Sequence, residues 1–219
     1  QFLISIYADA AQYDAPPDYP VNMICDAIDE GPFGKDILSK IFAGVVASSG
    51  TSRCYVNPDD TLTQTDDDTL TQTDLGWEWQ TCSEMVIPLG ISNNSMFQTY
   101  PFTVSSRIKQ CKTEFGVVPR PHWITTYYGG NDIKLILQRF GSNIIFSNGL
   151  RDPYSSGGIL QNISDTVLAV YTVNGSHALD VLRAEATDPQ WLIKQRKTEV
   201  EIIKAWIAKY YADLLAYKH

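Results

Sequence analysis

The 219-residue sequence is poor in metal-binding side chains, has no long apolar runs and has no excess of positive charge. Its histidines are His122, His177 and His219, and its cysteines are Cys25, Cys54, Cys82 and Cys111. No two cysteines form a C-x-x-C pair and no histidine stands at ligand spacing from them, which argues against a zinc site. No apolar run approaches the roughly 20 residues of a membrane-crossing helix, so no membrane span is expected. Lys and Arg number 17 against 25 Asp and Glu, giving a net charge of -8. Without a basic footprint, nucleic acid is not an expected partner. An acidic surface suits an acidic compartment, where part of that charge is neutralised. The start shows no signal peptide and opens on Gln1 rather than Met, which reads as a processed terminus or the edge of a fragment or of an expressed segment.

A hydrophobic fraction of 44% with 19% charged residues is ordinary for a globular chain. The length allows one large domain or two small ones. Four widely spaced cysteines read as disulfides in an oxidising compartment, or alternatively as buried thiols in a reducing one. The sequons at Asn93, Asn162 and Asn174 fit the first reading.

The pattern changes near residue 120. Before it the text is helical and loop-like. Prolines at 16, 17 and 20 interrupt an apolar, Ala-rich start. Val21, Ile24, Cys25 and Ile28 then share one helical face, and Ile37, Leu38, Ile41, Phe42 and Val45 repeat the pattern over residues 35–46. Residues 59–66 recur identically at 67–74. The paired acids there lack the Gly and the terminal Glu of a calcium loop, so a duplicated, solvated surface loop is expected. Trp77 and Trp79, close to Cys82, read either as packing around a disulfide or as a pocket wall.

From about residue 119 the text becomes α/β. Asn143–Ser147 is a short apolar run that reads as a buried strand stopped by Asn148-Gly149. A second strand is expected over 166–173, rich in β-branched residues. Asp188 as cap and Pro189 in the first turn begin a helix running to about Tyr217 with a broad apolar stripe. A strand, a crossover, a parallel strand and a closing helix form the tail of an open α/β sheet.

Functional groups in such sheets sit beyond the carboxyl ends of the strands. Asp152 lies beyond the first strand and His177 beyond the second. An Asp that orients a His is the general-base half of a serine hydrolase, and the order Asp before His is that of α/β-hydrolases. Asp-Pro is also a common turn starter, and a His in a Gly-Ser-His turn is often a plain surface residue. His122, between Pro121 and Trp123, reads as packed.

The stretches Arg120-Pro121-His122-Trp123, Ile145–Gly149 with Asp152-Pro153, and Gly175-Ser176-His177 resemble the Pro-X carboxypeptidase and dipeptidyl peptidase II family of serine peptidases. Trp77, Gln80, Cys82, Glu84 and Pro88 extend the resemblance, and Pro20-Val21 with Cys25 carries it towards the start. It implies an α/β-hydrolase domain with an inserted helical cap: residues 1–118 as part of the cap, and 119–219 as the C-terminal portion of the hydrolase domain. It implies Asp152 and His177 as two members of the catalytic triad, no cofactor, peptide substrates cut next to proline, a secretory or lysosomal setting and a possible homodimer. Tyr154 and Ile87 stand where the family usually has Trp and Met. With Trp77 they are expected to line the proline pocket. The resemblance also implies a Cys82–Cys111 disulfide, with Cys25 and Cys54 pairing upstream. The family's nucleophile lies upstream too, in a Gly-x-Ser-x-Gly elbow that this sequence does not contain. The expectation is therefore a fragment or processed chain that is inactive alone and completed by an N-terminal part of the hydrolase domain. The alternative is a truncated, non-catalytic relative with a binding or storage role. The Asn174 sequon, three residues before His177, is expected to carry no glycan.

Overall fold

The computed structural model describes residues 2–31, 34–52, 55, 72–95 and 97–217. Cys54 and most of the repeated segment lie outside them. The last residues of the second repeat open a helix, Gln72–Ser83, rather than continuing a loop.

The described chain is mostly helical, with one parallel pair of strands. Helices α1 (Phe2–Gln12), α2 (Pro20–Glu30) and α3 (Ile37–Ser49) come first. Pro20 sits at the first position of α2, where its missing N–H is no loss. The Asp36 carboxylate accepts from the N–H groups of Leu38 and Ser39 to cap α3, and Gly50 ends it with φ 71°. Ile6, Ala10, Ile24 and Val45 form the shared core of the three helices. Ile24 is only 1% exposed, a burial that contributes about 1.5–3 kcal/mol. The helical spacing over-assigned this core. Cys25, one residue and about 100° round the helix from Ile24, is exposed. Ile37 and Leu38 are 75% and 77% exposed, and α3 packs instead through Ala43, Gly44 and Val45. Gly44 admits the Ile28 side chain at a distance where a methyl would already be tight.

Helix α4 is Gln72–Ser83 and α5 is Val104–Phe115. Thr103 caps α5 and Gly116, in the left-handed region, closes it. Short α6 (Trp123–Tyr127) and α7 (Ile133–Phe140) follow. Strands β1 (Ile144–Gly149) and β2 (Val167–Thr172) pair in parallel, with Ile144 opposite Val167 and Gly149 opposite Thr172. Strand β1 runs on through the expected turn at Asn148-Gly149. Residues 162–164 cover the outer edge of β2, where the Ile163 N–H donates to the Val167 carbonyl and Asn162 Oδ1 accepts from Ala169 N–H. Helix α8 (Gln190–Tyr217) packs on β2. The Asp188 carboxylate does not cap α8. It accepts from the Glu185 N–H and pairs with Arg196, and these two contacts hold its pKa below the ordinary value.

The chain forms two compact units. One comprises residues 1–55 and 137–219, the other 56–136. The first gathers α1–α3, the two strands and α8. In the second, Cys82 and Cys111 join α4 to α5 by a disulfide with Cα atoms 5.3 Å apart, and both cysteines are buried.

Candidate active site

Two turns leave the carboxyl ends of β1 and β2 and run against each other without room to spare. A methyl on Gly149 would stand 2.3 Å from the Gly175 carbonyl carbon and 2.5 Å from the Ser176 carbonyl oxygen. Only glycine at 149 admits this approach, and the backbone then ties it together. Leu150 N–H donates to the Thr172 carbonyl at 2.8 Å, and Arg151 N–H to the Gly175 carbonyl at 2.9 Å.

The approach carries Asp152 to His177. Asp152 Oδ2 lies 2.7 Å from His177 Nδ1, while Oδ1 accepts from Tyr154 N–H at 3.0 Å and so caps the 3-10 turn Pro153–Gly157. Both carboxylate oxygens are therefore directed, and the carboxyl is mostly buried. The imidazole keeps 36% of its side-chain surface exposed. A carboxylate at Nδ1 favours the tautomer with its proton there, leaving the Nε2 lone pair to accept a proton. The Tyr13 ring stands edge-on to the imidazole at 5.7 Å, and the Tyr154 ring is tilted against it at 5.6 Å. The hydroxyl of Ser176, beside His177 in sequence, is buried and makes no hydrogen bond.

Each loop is anchored from a distant element. The His177 N–H donates to the carbonyl of Gln12 at the end of α1. The stretch after His177 is held by Arg196 of α8, whose guanidinium donates to the carbonyls of Leu179, Asp180 and Leu182. Arg151, next to Asp152, pairs with Asp14 and lies over the Tyr19 ring. Behind β1, Ser147 Oγ donates to Glu199 and accepts from Gln195. Burial, then the neighbouring Asp180 charge, pushes the Glu199 carboxyl above its ordinary range.

The structure thus brings Asp152, His177 and Tyr154 together. Trp77 and Ile87 belong to the second unit, where Trp77 and Trp79 are both about half exposed. Neither tryptophan packs away around the Cys82–Cys111 bridge. His122 is exposed rather than packed, and Trp123, not His122, stacks on Tyr127, with the Arg120 guanidinium 4.1 Å from the centre of the Trp123 ring. Sequence reasoning missed Gln12, Asp14, Arg151 and Arg196. Their partners lie far along the chain or are backbone carbonyls, so no spacing rule signals them. Among the described residues no group of three or more His, Cys, Asp or Glu is arranged to hold a metal ion.

The chain is 34% identical to lysosomal Pro-X carboxypeptidase of Mus musculus over 204 residues, covering 90% of the chain and 39% of that protein. Against the Homo sapiens protein it is 34% identical over 212 residues, covering 94% of the chain and 40% of the relative. A prolyl carboxy peptidase like protein 5 of Caenorhabditis elegans is 34% identical over 142 residues, covering 61% of the chain and 27% of that protein. The chain thus spans about two fifths of the length of the two mammalian relatives. The family model for serine carboxypeptidase S28 matches residues 1–199, both strand-end loops included, and the chain belongs to that family.

Proposed function

We propose that this chain supplies the acid–base pair of a serine exopeptidase that cuts next to proline, with Asp152 and His177 acting on a hydroxyl from polypeptide outside these 219 residues. The observation that carries the proposal is the 2.7 Å contact between His177 Nδ1 and Asp152 Oδ2 at the ends of adjacent parallel strands. His177 Nε2 takes the hydroxyl proton as the oxygen attacks the scissile carbonyl. Asp152 stabilises the imidazolium, which then returns the proton to the departing amine. The sequence has no Gly-x-Ser-x-Gly elbow of its own. On this reading residues 119–219 are the end of an α/β-hydrolase sheet and residues 1–118 part of a helical cap. Tyr154, beside the imidazole, lines the proline pocket. The relatives' names and the Cys82–Cys111 disulfide favour a secretory or lysosomal setting.

The test has two arms. The 219-residue chain alone should not hydrolyse a prolyl peptide above a blank. In a polypeptide that also carries the serine elbow, Asp152→Asn should lower kcat by about 10⁴-fold with the fold intact, because the wrong tautomer is then favoured. Unchanged turnover in Asp152→Asn would refute the assignment. The second reading is a non-catalytic relative with a binding or storage role. A lone 24.5 kDa species in the native source, unchanged by reduction, would support that reading, and a disulfide-linked partner chain would support the peptidase.

A further inference from the structure

The Asp14–Arg151 ion pair joins the start of the chain to the residue beside Asp152. Asp14 is 2% exposed. Its Oδ1 accepts from Val21 N–H, in the first turn of α2, at 3.2 Å. Its Oδ2 pairs with the Arg151 guanidinium, which also lies 5.2 Å over the Tyr19 ring. A buried carboxylate held at both oxygens is a fixed partner, and a guanidinium so matched is drawn away from other anions. The nearest competing anion along the chain is Asp152, one residue on, whose Oδ2 is the oxygen used by His177.

We propose that Asp14 is a positioning residue for the Asp152–His177 pair: by binding Arg151 it keeps that guanidinium off Asp152, so the Asp152 carboxylate is left to His177. The inference rests on the reading of Asp152 and His177 as the acid–base pair. It goes beyond that reading by naming what protects the pair. Removing the Asp14 charge frees Arg151 within side-chain reach of Asp152. A guanidinium there takes Oδ2 in a charge-assisted bond, and the imidazole loses the acceptor that fixes its tautomer.

Long-range 1H–15N correlation spectra of the protein read the tautomer of His177 directly and without turnover, with His177→Gln used to assign its signals. The parent should show the Nδ1–H form. In Asp14→Asn, which keeps an acceptor for Val21 N–H, that form should fall to a minority. In the double variant Asp14→Asn/Arg151→Gln it should return. Asp14→Ser is the second form of the single change should Asp14→Asn not fold. A parental tautomer in the folded single variant would overturn the proposal while leaving the functional reading intact, since a purely structural pair lowers melting temperature without moving the tautomer. Failure of the double variant to recover the Nδ1–H form would also overturn it. A parent without the Nδ1–H form would overturn both the proposal and the reading beneath it.

Discussion

Gly149→Ala should open the two strand-end loops and unseat the Asp152–His177 contact. The added carbon would stand 2.3, 2.4 and 2.5 Å from three backbone atoms of residues 175 and 176, where ordinary contact begins at 3.4 Å. No flexible side chain is among them, so relief requires the loops to part by about 1 Å. That separation breaks the 2.9 Å bond from Arg151 N–H to the Gly175 carbonyl and lengthens the 2.8 Å bond from Leu150 N–H. Overpacking costs about 1–3 kcal/mol and each lost hydrogen bond about 1 kcal/mol, so a loss near 3 kcal/mol is expected. For a chain of this size that lowers the melting temperature by about 6–12 °C. A 1 Å displacement at the pair is also worth about 10²-fold in turnover when the site is assembled. Gly157→Ala is the internal control, because a methyl there meets nothing within 4 Å. It should leave stability unchanged or raise it by about 0.4–1 kcal/mol. Thermal unfolding followed by circular dichroism, together with the His177 tautomer, measures both variants. A Gly149→Ala protein that melts with the parent and keeps the Nδ1–H tautomer would refute the claim that close backbone approach builds this site.

Two further outcomes follow from other parts of the molecule. Glu199 has its folded pKa raised from an ordinary 4.5 by burial and by Asp180, against the weaker opposing effects of Ser147, Gln195 and Arg196. The folded state therefore holds the Glu199 proton to higher pH than the unfolded chain, so stability falls as pH rises from about 4.5 through the raised value. Glu199→Gln should flatten that decline, and parallel melting curves for parent and variant between pH 4.5 and 7 would contradict it. Cys82 and Cys111 close a loop of 29 residues, so replacing both by Ser should cost about 3.5 kcal/mol by loop entropy. Unfolding by urea, read at the Trp77 and Trp79 fluorescence, should show this as a lower midpoint, and an unmoved midpoint would count against it.

The parts of this fold that could be read in the sequence are those governed by local rules. Asn143–Ser147 and residues 166–173 announced themselves as short apolar runs, and the structure places strands at Ile144–Gly149 and Val167–Thr172. The helix from Gln190 to Tyr217 was legible from its start signal and its stripe, although Asp188 spends its carboxylate on the Glu185 N–H and Arg196 instead of on a cap. Periodicity failed where several apolar residues competed for one face. It could not say that Ile24 would be buried and Cys25 exposed, nor that α3 would pack through small residues while Ile37 and Leu38 faced out. The Asp152 and His177 positions followed from the rule about strand ends, whereas the residues that steady them did not. Arg196 grips backbone carbonyls that carry no side-chain signature. Asp14 finds its partner more than a hundred residues away, with nothing in its own neighbourhood of prolines to mark it as buried and paired.

These supports are divided between the two loops in a way that bears on how the pair holds its geometry. The Asp152 turn is tied to the first turn of α2 through Arg151 and Asp14. The His177 turn is tied to the end of α1 through Gln12 and to α8 through Arg196. The turns also meet directly, across Gly149 and Gly175 and at the Asp152–His177 contact itself. Helices that precede the sheet in sequence thus hold one residue of the pair and help hold the other, and α8 secures the second from behind. A change that shifts α2 should move the carboxylate, and one that shifts α8 should move the imidazole, so the 2.7 Å separation senses both. Rigid elements position a reacting group more precisely than loops do. Here two loops acquire that rigidity from three helices, with the parallel strand pair setting only where the loops begin.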